Sequence, residues 1–244
     1  MENAPSTDLS LAMKFHQAGD IAKAEQIYRR VLEVNGTCAD AWHLLGVVAL
    51  QRNQFEQAIE CIRRAIQLQP DAALAHSNLG VAYKSLGRYD EAVGSYRQAL
   101  ILQPDYAEVH YNLGLLLKER GKPEEAAGGY RHAIQFQPGH AAAHCSLGLV
   151  LRELGQLEEA ESVLRRALEL RPALVEAQIN LGNVLRDQQK PQEAMQAYQA
   201  ALRLKPDQAD AHNNLACLLR EEENKTDEAI AHWREAIRLK PNYP

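Results

Sequence analysis

The fold is decided by the segment Ala73–Tyr106, which reads ALAHSNLGVAYKSLGRYDEAVGSYRQALILQPDY. Its arrangement of leucine, glycine, alanine, tyrosine and proline recurs with variations along nearly the whole chain. Prolines mark the period, because they stand 34 residues apart at Pro70, Pro104, Pro138, Pro172 and Pro206. A constant period of this length is typical of arrays in which each unit packs on its neighbours, and it argues against a single globular core.

Each unit is predicted to contain two antiparallel helices. In the first helix, apolar and small residues recur at i, i+3, i+4 and i+7, as over 110–117, which places them on one helical face. The proline near the end of each unit stops the second helix. A glycine follows the first helix in four units, where a left-handed cap favours it: Gly19, Gly87, Gly121 and Gly155. The chain is therefore predicted to be all-α.

The pattern formed by Leu79-Gly80, Tyr83, Ala92, Tyr96 and Pro104 resembles the tetratricopeptide repeat (TPR) family over nearly the whole chain. The resemblance implies a right-handed TPR superhelix (α-solenoid) of about seven helix-turn-helix repeats. A disordered lead, residues 1–4, is expected to precede a single array, 5–244. The units are 5–38, 39–72, 73–106, 107–140, 141–174, 175–208 and 209–244. In the seventh, the spacing from Leu215 to Ala229 is one residue longer than the corresponding spacing from Leu79 to Ala92, and the extra residue is placed in the turn 222–226.

Composition argues against several classes of partner. The net charge is −5, whereas nucleic-acid binding requires a basic surface. No apolar stretch approaches the roughly 18 residues of a membrane span, and the first residues do not resemble a secretory signal. The four cysteines have neither zinc-site nor redox-pair spacing, as is usual in a reducing compartment. We expect a cytoplasmic protein that binds neither nucleic acid nor membrane.

The sequence also offers no catalytic or metal-binding motif. It lacks a Gly-x-Ser-x-Gly elbow, a His-Glu-x-x-His zinc motif and a phosphate-binding loop. Four histidines recur at the same place in different units, and ligands one whole unit apart cannot converge on one ion. We interpret them as packing residues: His76, His110, His144 and His212. No catalytic residue, metal or cofactor is expected, and the chain is not expected to be an enzyme.

The candidate binding residues lie opposite the packing face of the first helices. Positions are counted from the first residue of a unit, so that Ala73 is position one. Position six is an asparagine in four units: Asn78, Asn112, Asn180 and Asn214. Position two is acidic in four units: Asp40, Glu108, Glu176 and Asp210. An amide can both donate to and accept from a peptide backbone, so a row of asparagines is suited to holding an extended chain.

The recurrent Asn-Leu-Gly at this place resembles the repeat superhelix of O-linked N-acetylglucosamine transferases. In that family an asparagine ladder, with an acidic ladder beside it, binds the backbone of substrate peptides in the concave groove. The resemblance implies the same role for the eight residues named above. Leu44 and Ser146 interrupt the asparagine row. The alternative is that these amides only keep the groove hydrated. Basic residues at position twelve and acidic residues at position thirteen are interpreted as a solvated face.

Two functions follow as hypotheses. The chain is predicted to be a non-catalytic scaffold that binds extended polypeptide segments in its groove. Alternatively, it is the substrate-recruiting arm of a larger glycosyltransferase. The apolar residues of the last helix, Ile230, Trp233, Ala236 and Ile237, also predict that this end is covered, either by a continuation of the chain beyond Pro244 or by self-association through the C-terminal repeat.

Overall fold

The computed structural model describes residues 4–222 and 225–241, with side chains from residue 7 onward. Over these residues the chain is helical and contains no strand. The helices are α1 Ala4–Gln17, α2 Ile21–Val34, α3 Ala39–Gln51, α4 Phe55–Leu68, α5 Ala73–Ser85, α6 Tyr89–Leu102, α7 Ala107–Glu119, α8 Pro123–Phe136, α9 Ala141–Glu153, α10 Leu157–Leu170, α11 Val175–Asp187, α12 Pro191–Leu204, α13 Ala209–Arg220 and α14 Thr226–Leu239. The predicted all-α repeat fold is confirmed.

The ends of the chain and the last turn bear on two of the sequence predictions. Of the predicted lead, residues 1–3 lie outside the described residues, and Ala4 is the first residue of α1. The predicted insertion falls between α13 and α14, where residues 223 and 224 lie outside the described part. None of the described helices is both long enough and apolar enough to span a membrane.

In the first six helix pairs, the turn between the two helices depends on a left-handed residue at position fifteen. The four glycines predicted for this role have positive φ, from +70° at Gly121 to +81° at Gly19. Two units use other residues there: Asn53, with φ of 57°, and Gln189, with φ of 60°. Glycine suits this conformation because it has no Cβ to collide with the backbone. The turn geometry is therefore the same whether or not glycine supplies it.

Within a pair, the two helices approach closely at the small residue of position eight. A Cβ added to Gly80 would lie 2.6 Å from the ring of Tyr96, and one added to Gly182 would lie 2.5 Å from that of Tyr198. Both tyrosines stand at position twenty-four and are buried. The prediction that these glycines permit close helix packing is confirmed.

The recurrent histidines at position four form hydrogen bonds with the last residues of the preceding repeat. Each donates its Nε2 hydrogen to the backbone carbonyl of the residue six places earlier, because a carbonyl oxygen can only accept. The bonds are His76 to Pro70 (3.0 Å), His110 to Pro104 (2.8 Å), His144 to Pro138 (3.1 Å) and His212 to Pro206 (2.9 Å). In the second unit Trp42 Nε1 donates in the same way to Gly36 at 2.9 Å. These side chains therefore stabilise the turn between consecutive repeats in addition to their role in packing.

The chain divides into two compact units, residues 1–116 and 117–244. In 1–116 one cluster of buried side chains surrounds Tyr28 and another surrounds Tyr96. In 117–244 the fully buried side chains include Leu151, Leu164 and Tyr198. In both units the core lies between paired helices, which leaves the opposite side of each first helix available to solvent.

Candidate functional site

The four predicted asparagines all lie on first helices: Asn78 on α5, Asn112 on α7, Asn180 on α11 and Asn214 on α13. Each side chain is half-buried, whereas the glycine or alanine two positions later is buried. We call these four residues the amide row and the side of the helices that carries them the groove face. The first two belong to unit 1–116 and the last two to unit 117–244.

Three members of the amide row are held by the preceding repeat. In each, the side-chain Nδ2 donates to a residue on the first helix of that repeat. The bonds are Asn78 to His43 Nε2 (2.9 Å), Asn180 to Cys145 Sγ (3.7 Å) and Asn214 to Asn183 Oδ1 (2.9 Å). Since the nitrogen is the atom engaged, the amide oxygen is the atom that each bond leaves for a further donor.

The acceptors of these bonds are neutral groups. Burial lowers the pKa of His43, although the nearby Asp40 carboxylate opposes this, so the imidazole stays uncharged and its Nε2 can accept. Burial raises the pKa of the Cys145 thiol, so that its sulfur is not a thiolate at neutral pH. The amide row is therefore positioned without adding charge to the groove face.

Asn183 positions a member of the amide row, and the sequence analysis did not single it out. Its Oδ1 accepts from Asn214 and also from the Tyr198 hydroxyl at 2.8 Å. Burial raises the pKa of Tyr198 to about 12, so the hydroxyl remains a donor at neutral pH. The signal was available, because Asn183 occupies position nine, where four other units carry valine or leucine.

The four predicted acidic residues are exposed and stand in the first turn of their helices: Asp40 on α3, Glu108 on α7, Glu176 on α11 and Asp210 on α13. A carboxylate there interacts favourably with the helix N-terminus, so the helix itself accounts for part of the pattern. The three remaining units carry Ser6, Leu74 and Ala142 at the same position, so this row is interrupted as well.

The basic and acidic rows at positions twelve and thirteen join consecutive repeats within unit 117–244. Lys118 Nζ lies 3.8 Å from Glu153, and Arg152 Nε lies 2.6 Å from Asp187. Each pair links position twelve of one repeat to position thirteen of the next. Interpreting these rows as merely a solvated face was therefore incomplete. Because the side chains are well exposed, each pair contributes little stability, about 0–1 kcal/mol.

Two cavities lie on opposite sides of the first repeats. One of about 230 Å³ opens on the groove face and is lined by Met13, His16, Gln17, Tyr28, Leu44 and Val47. A wider cleft of about 450 Å³ lies away from that face, between α2, α3 and α4, and its lining includes Trp42 and Cys61. None of the four asparagines of the amide row lines either cavity. No cluster of side chains suited to a metal ion occurs in residues 4–222 and 225–241.

The model of the Cilia and flagella-associated protein 70 C-terminal domain, which is built of tetratricopeptide repeats, matches residues 2–218, and a tetratricopeptide repeat model matches residues 209–243. The chain belongs to this family of tetratricopeptide repeat domains. The family resemblance drawn from the repeat pattern is confirmed. A comparison with curated proteins finds no significant match.

Several solved structures are similar to this chain in fold. The pilF protein of Pseudomonas aeruginosa is 26% identical, with a TM-score of 0.74 over 84% of this chain and 93% of that one. YrrB, described as a TPR protein with an unusual peptide-binding site, is 23% identical, with a TM-score of 0.66 over 75% and 95%. A repeat protein of Cytophaga hutchinsonii is 14% identical, with a TM-score of 0.77 over 96% of both chains. The last two likenesses concern the fold alone. The family supports a protein-interaction scaffold.

Proposed function

We propose that this TPR chain is a non-catalytic scaffold that binds extended polypeptide segments along its groove face. The observation that carries the proposal is the hydrogen bonding of the amide row. One side-chain amide hydrogen is donated to a residue of the preceding repeat by each of Asn78, Asn180 and Asn214. That bond limits the rotation of the side chain and so reduces the entropy lost when a ligand binds.

A peptide backbone is the ligand that suits these groups. The amide oxygen can accept from a backbone N–H, and the second hydrogen of Nδ2 can donate to a backbone carbonyl. An extended segment presents both groups repeatedly, whereas a helix has already paired them internally. The amide row therefore recognises main chain and leaves sequence preference to other residues.

The exposed carboxylates add a preference for basic segments. Asp40 and Glu108 in one compact unit, and Glu176 and Asp210 in the other, stand one helical turn before position six. Their charge attracts lysine and arginine, and the attraction weakens as salt is added. We expect binding of partners to fall with ionic strength.

The proposal is tested by replacing all four asparagines of the amide row with alanine. Linear peptides are first selected from a displayed random library on the wild-type protein, and their affinities are then measured by fluorescence anisotropy. A hydrogen bond contributes about 0.5–1.5 kcal/mol, so losing four should weaken binding by at least about 30-fold. Unchanged affinity in the folded quadruple variant would overturn the proposal.

A matched control removes four amides from the outer surface. Gln26, Gln67, Gln135 and Gln199 are exposed residues of second helices. Their replacement by alanine should leave peptide affinity unchanged, because they lie off the groove face. The alternative hypothesis, a recruiting arm of a larger glycosyltransferase, stays a prediction from the resemblance of the asparagine ladder.

A further inference from the structure

The amide row is interrupted at Leu44, and the structure places an apolar cavity there. Leu44 occupies position six of its unit, one repeat before Asn78. Together with Met13 and Val47 it lines the cavity of about 230 Å³ on the groove face. Met13 is 41% exposed, so its side chain is accessible from solvent at this site. The interruption thus replaces a hydrogen-bonding group with an apolar surface.

Of the three polar side chains that line the cavity, His16 and Tyr28 are paired, and Gln17 is exposed to solvent. The Tyr28 hydroxyl and His16 Nδ1 are 3.2 Å apart, and His16 Nε2 lies 3.1 Å from Gln51 Oε1. Since Gln51 Oε1 can only accept, Nε2 carries the hydrogen, and Nδ1 accepts from the hydroxyl. The Tyr28 side chain is 0% exposed, so packing on its other sides fixes its position in the lining of the cavity. The cavity therefore offers contact to an apolar group and leaves no unpaired polar group of these residues to be buried.

Size and position restrict the occupant. Clefts that hold small molecules usually measure about 300–1,000 Å³, so a cavity of about 230 Å³ is better matched to one side chain. A segment whose backbone is held by Asn78 would meet position six of the preceding repeat next. That position is Leu44, at the cavity. The occupant is thus a side chain of the same bound segment.

Charge beside the cavity adds a second condition. Asp40 is exposed and lies four residues before Leu44 on α3, so the two side chains are neighbours on one helical face. A lysine or arginine close to the apolar residue would place its charge near this carboxylate. The apolar cavity and the carboxylate together predict a short motif in the bound segment that combines one large apolar residue with one basic residue.

We propose that this cavity is a specificity subsite that holds a leucine, isoleucine, methionine or phenylalanine side chain of a bound extended polypeptide, with a lysine or arginine of that segment beside Asp40. The inference rests on the proposed function, since the amide row holds the backbone that delivers the side chain. It adds sequence selectivity to a surface that otherwise recognises main chain.

The test uses linear peptides selected from a displayed random library on the wild-type protein. Selected peptides should share one large apolar residue with a basic residue nearby. Leu44→Asn installs the residue that other repeats carry, and Met13→Lys places a charge at the mouth of the cavity. Each variant should lower the affinity for a selected peptide by about 10-fold to 100-fold. This is the loss expected when a large apolar side chain stays in water.

Controls separate the cavity from general effects. Ile101→Asn removes an exposed apolar side chain from a second helix and should leave affinity unchanged. Replacing the apolar residue of the peptide with alanine should abolish the difference between wild type and Leu44→Asn. Asp40→Asn should reduce the preference for the basic residue and leave the apolar preference in place.

The outcomes distinguish this inference from the proposed function. If peptides bind through the amide row but show no apolar enrichment, or if Leu44→Asn binds them unchanged, the subsite is wrong and the scaffold proposal stands. If no linear peptide binds in a manner that depends on the amide row, both are wrong. Apolar enrichment that is lost in Leu44→Asn and kept in Ile101→Asn supports the subsite.

Discussion

At the scale of single residues, the left-handed position in the turns of the first six helix pairs shows how one backbone requirement is met in different ways. Glycine meets it at Gly19, Gly87, Gly121 and Gly155 without steric cost. Asn53 tolerates it because a short polar side chain can bond locally. Gln189, with φ of 60°, has no such advantage and is held there by the surrounding fold.

Gln189→Gly should stabilise the protein. Relief of the left-handed strain, about 1–2 kcal/mol, is larger than the entropic cost of the more flexible glycine in the unfolded chain, about 0.5–1 kcal/mol, so the free energy of unfolding should rise by up to about 1.5 kcal/mol. Asn53→Gly should give a smaller gain. Urea unfolding measures both, and a loss of stability in Gln189→Gly would show that its side chain contributes more than its backbone costs.

Stability should decrease in mild acid because of buried histidines. Burial lowers the pKa of His43, His144 and His232 below the ordinary value of 6.5. The unfolded chain therefore takes up these protons first as the pH falls through about 6.5, and the free energy of unfolding falls with it. His144 is 7% exposed, and its Nδ1 has no hydrogen-bond partner among the described residues.

His144→Gln isolates this contribution. Glutamine can still donate to the Pro138 carbonyl but does not titrate, and Gln178 occupies the same position in the next repeat. The variant should lose less stability than wild type between pH 7 and pH 5, as measured by urea unfolding at each pH. His132→Gln, at an exposed site on α8, is the control. An unchanged pH dependence in His144→Gln would contradict this role of the histidine.

At the scale of helices, two glycines of the same helix pair should respond to alanine in opposite ways. A Cβ on Gly80 would lie 2.6 Å from the Tyr96 ring, whereas one on Gly94, in the middle of α6, would meet nothing within 4 Å. Gly80→Ala should cost about 1–3 kcal/mol through overpacking, and Gly94→Ala should add about 0.4–1 kcal/mol. Thermal unfolding of both variants checks this, and a tolerated Gly80→Ala would mean that α5 and α6 can move apart.

The helices and their close contacts could be predicted from sequence because they follow from period and residue size alone. The glycines of position eight and the turn at position fifteen needed no knowledge of neighbours. Contacts between side chains of neighbouring repeats could not be predicted from period and residue size. The bond from Asn78 to His43 and the cavity at Leu44 depend on the rotamers and register of two packed helices, which a pattern within one repeat does not contain.

These cross-repeat bonds also change one expectation about the amide row. If its side chains only faced solvent, removing them would leave stability almost unchanged. Since Asn78 and Asn214 bond to the preceding repeat, their replacement by alanine should also lower stability, by about 0.5–1.5 kcal/mol each. Peptide affinity must therefore be measured well below the unfolding temperature of the variant.

At the scale of the whole molecule, stability should vary along the array, because each repeat contributes its own packing and interface free energy. Helix α9 buries eight of its residues, from Ala141 to Leu151. Over the part of α1 whose side chains the structure describes, from residue 7 onward, only Ala12 is buried. Backbone amides of α1 should exchange with solvent faster than those of α9, as hydrogen exchange with mass spectrometry would show. Equal protection of the two helices would indicate that the array unfolds as one cooperative block.

The hydrogen bond from position four to the carbonyl six residues earlier has a consequence for synthesis on the ribosome. Because the hydrogen bond of His76 is to Pro70, only six residues earlier, it can form in a nascent chain before the rest of the repeat has been translated. The contacts of the finished repeat then extend mainly to the segment made just before it. Emergence from the exit tunnel and assembly of the array can thus proceed in the same order, with each new helix pair docking on a surface that is already folded.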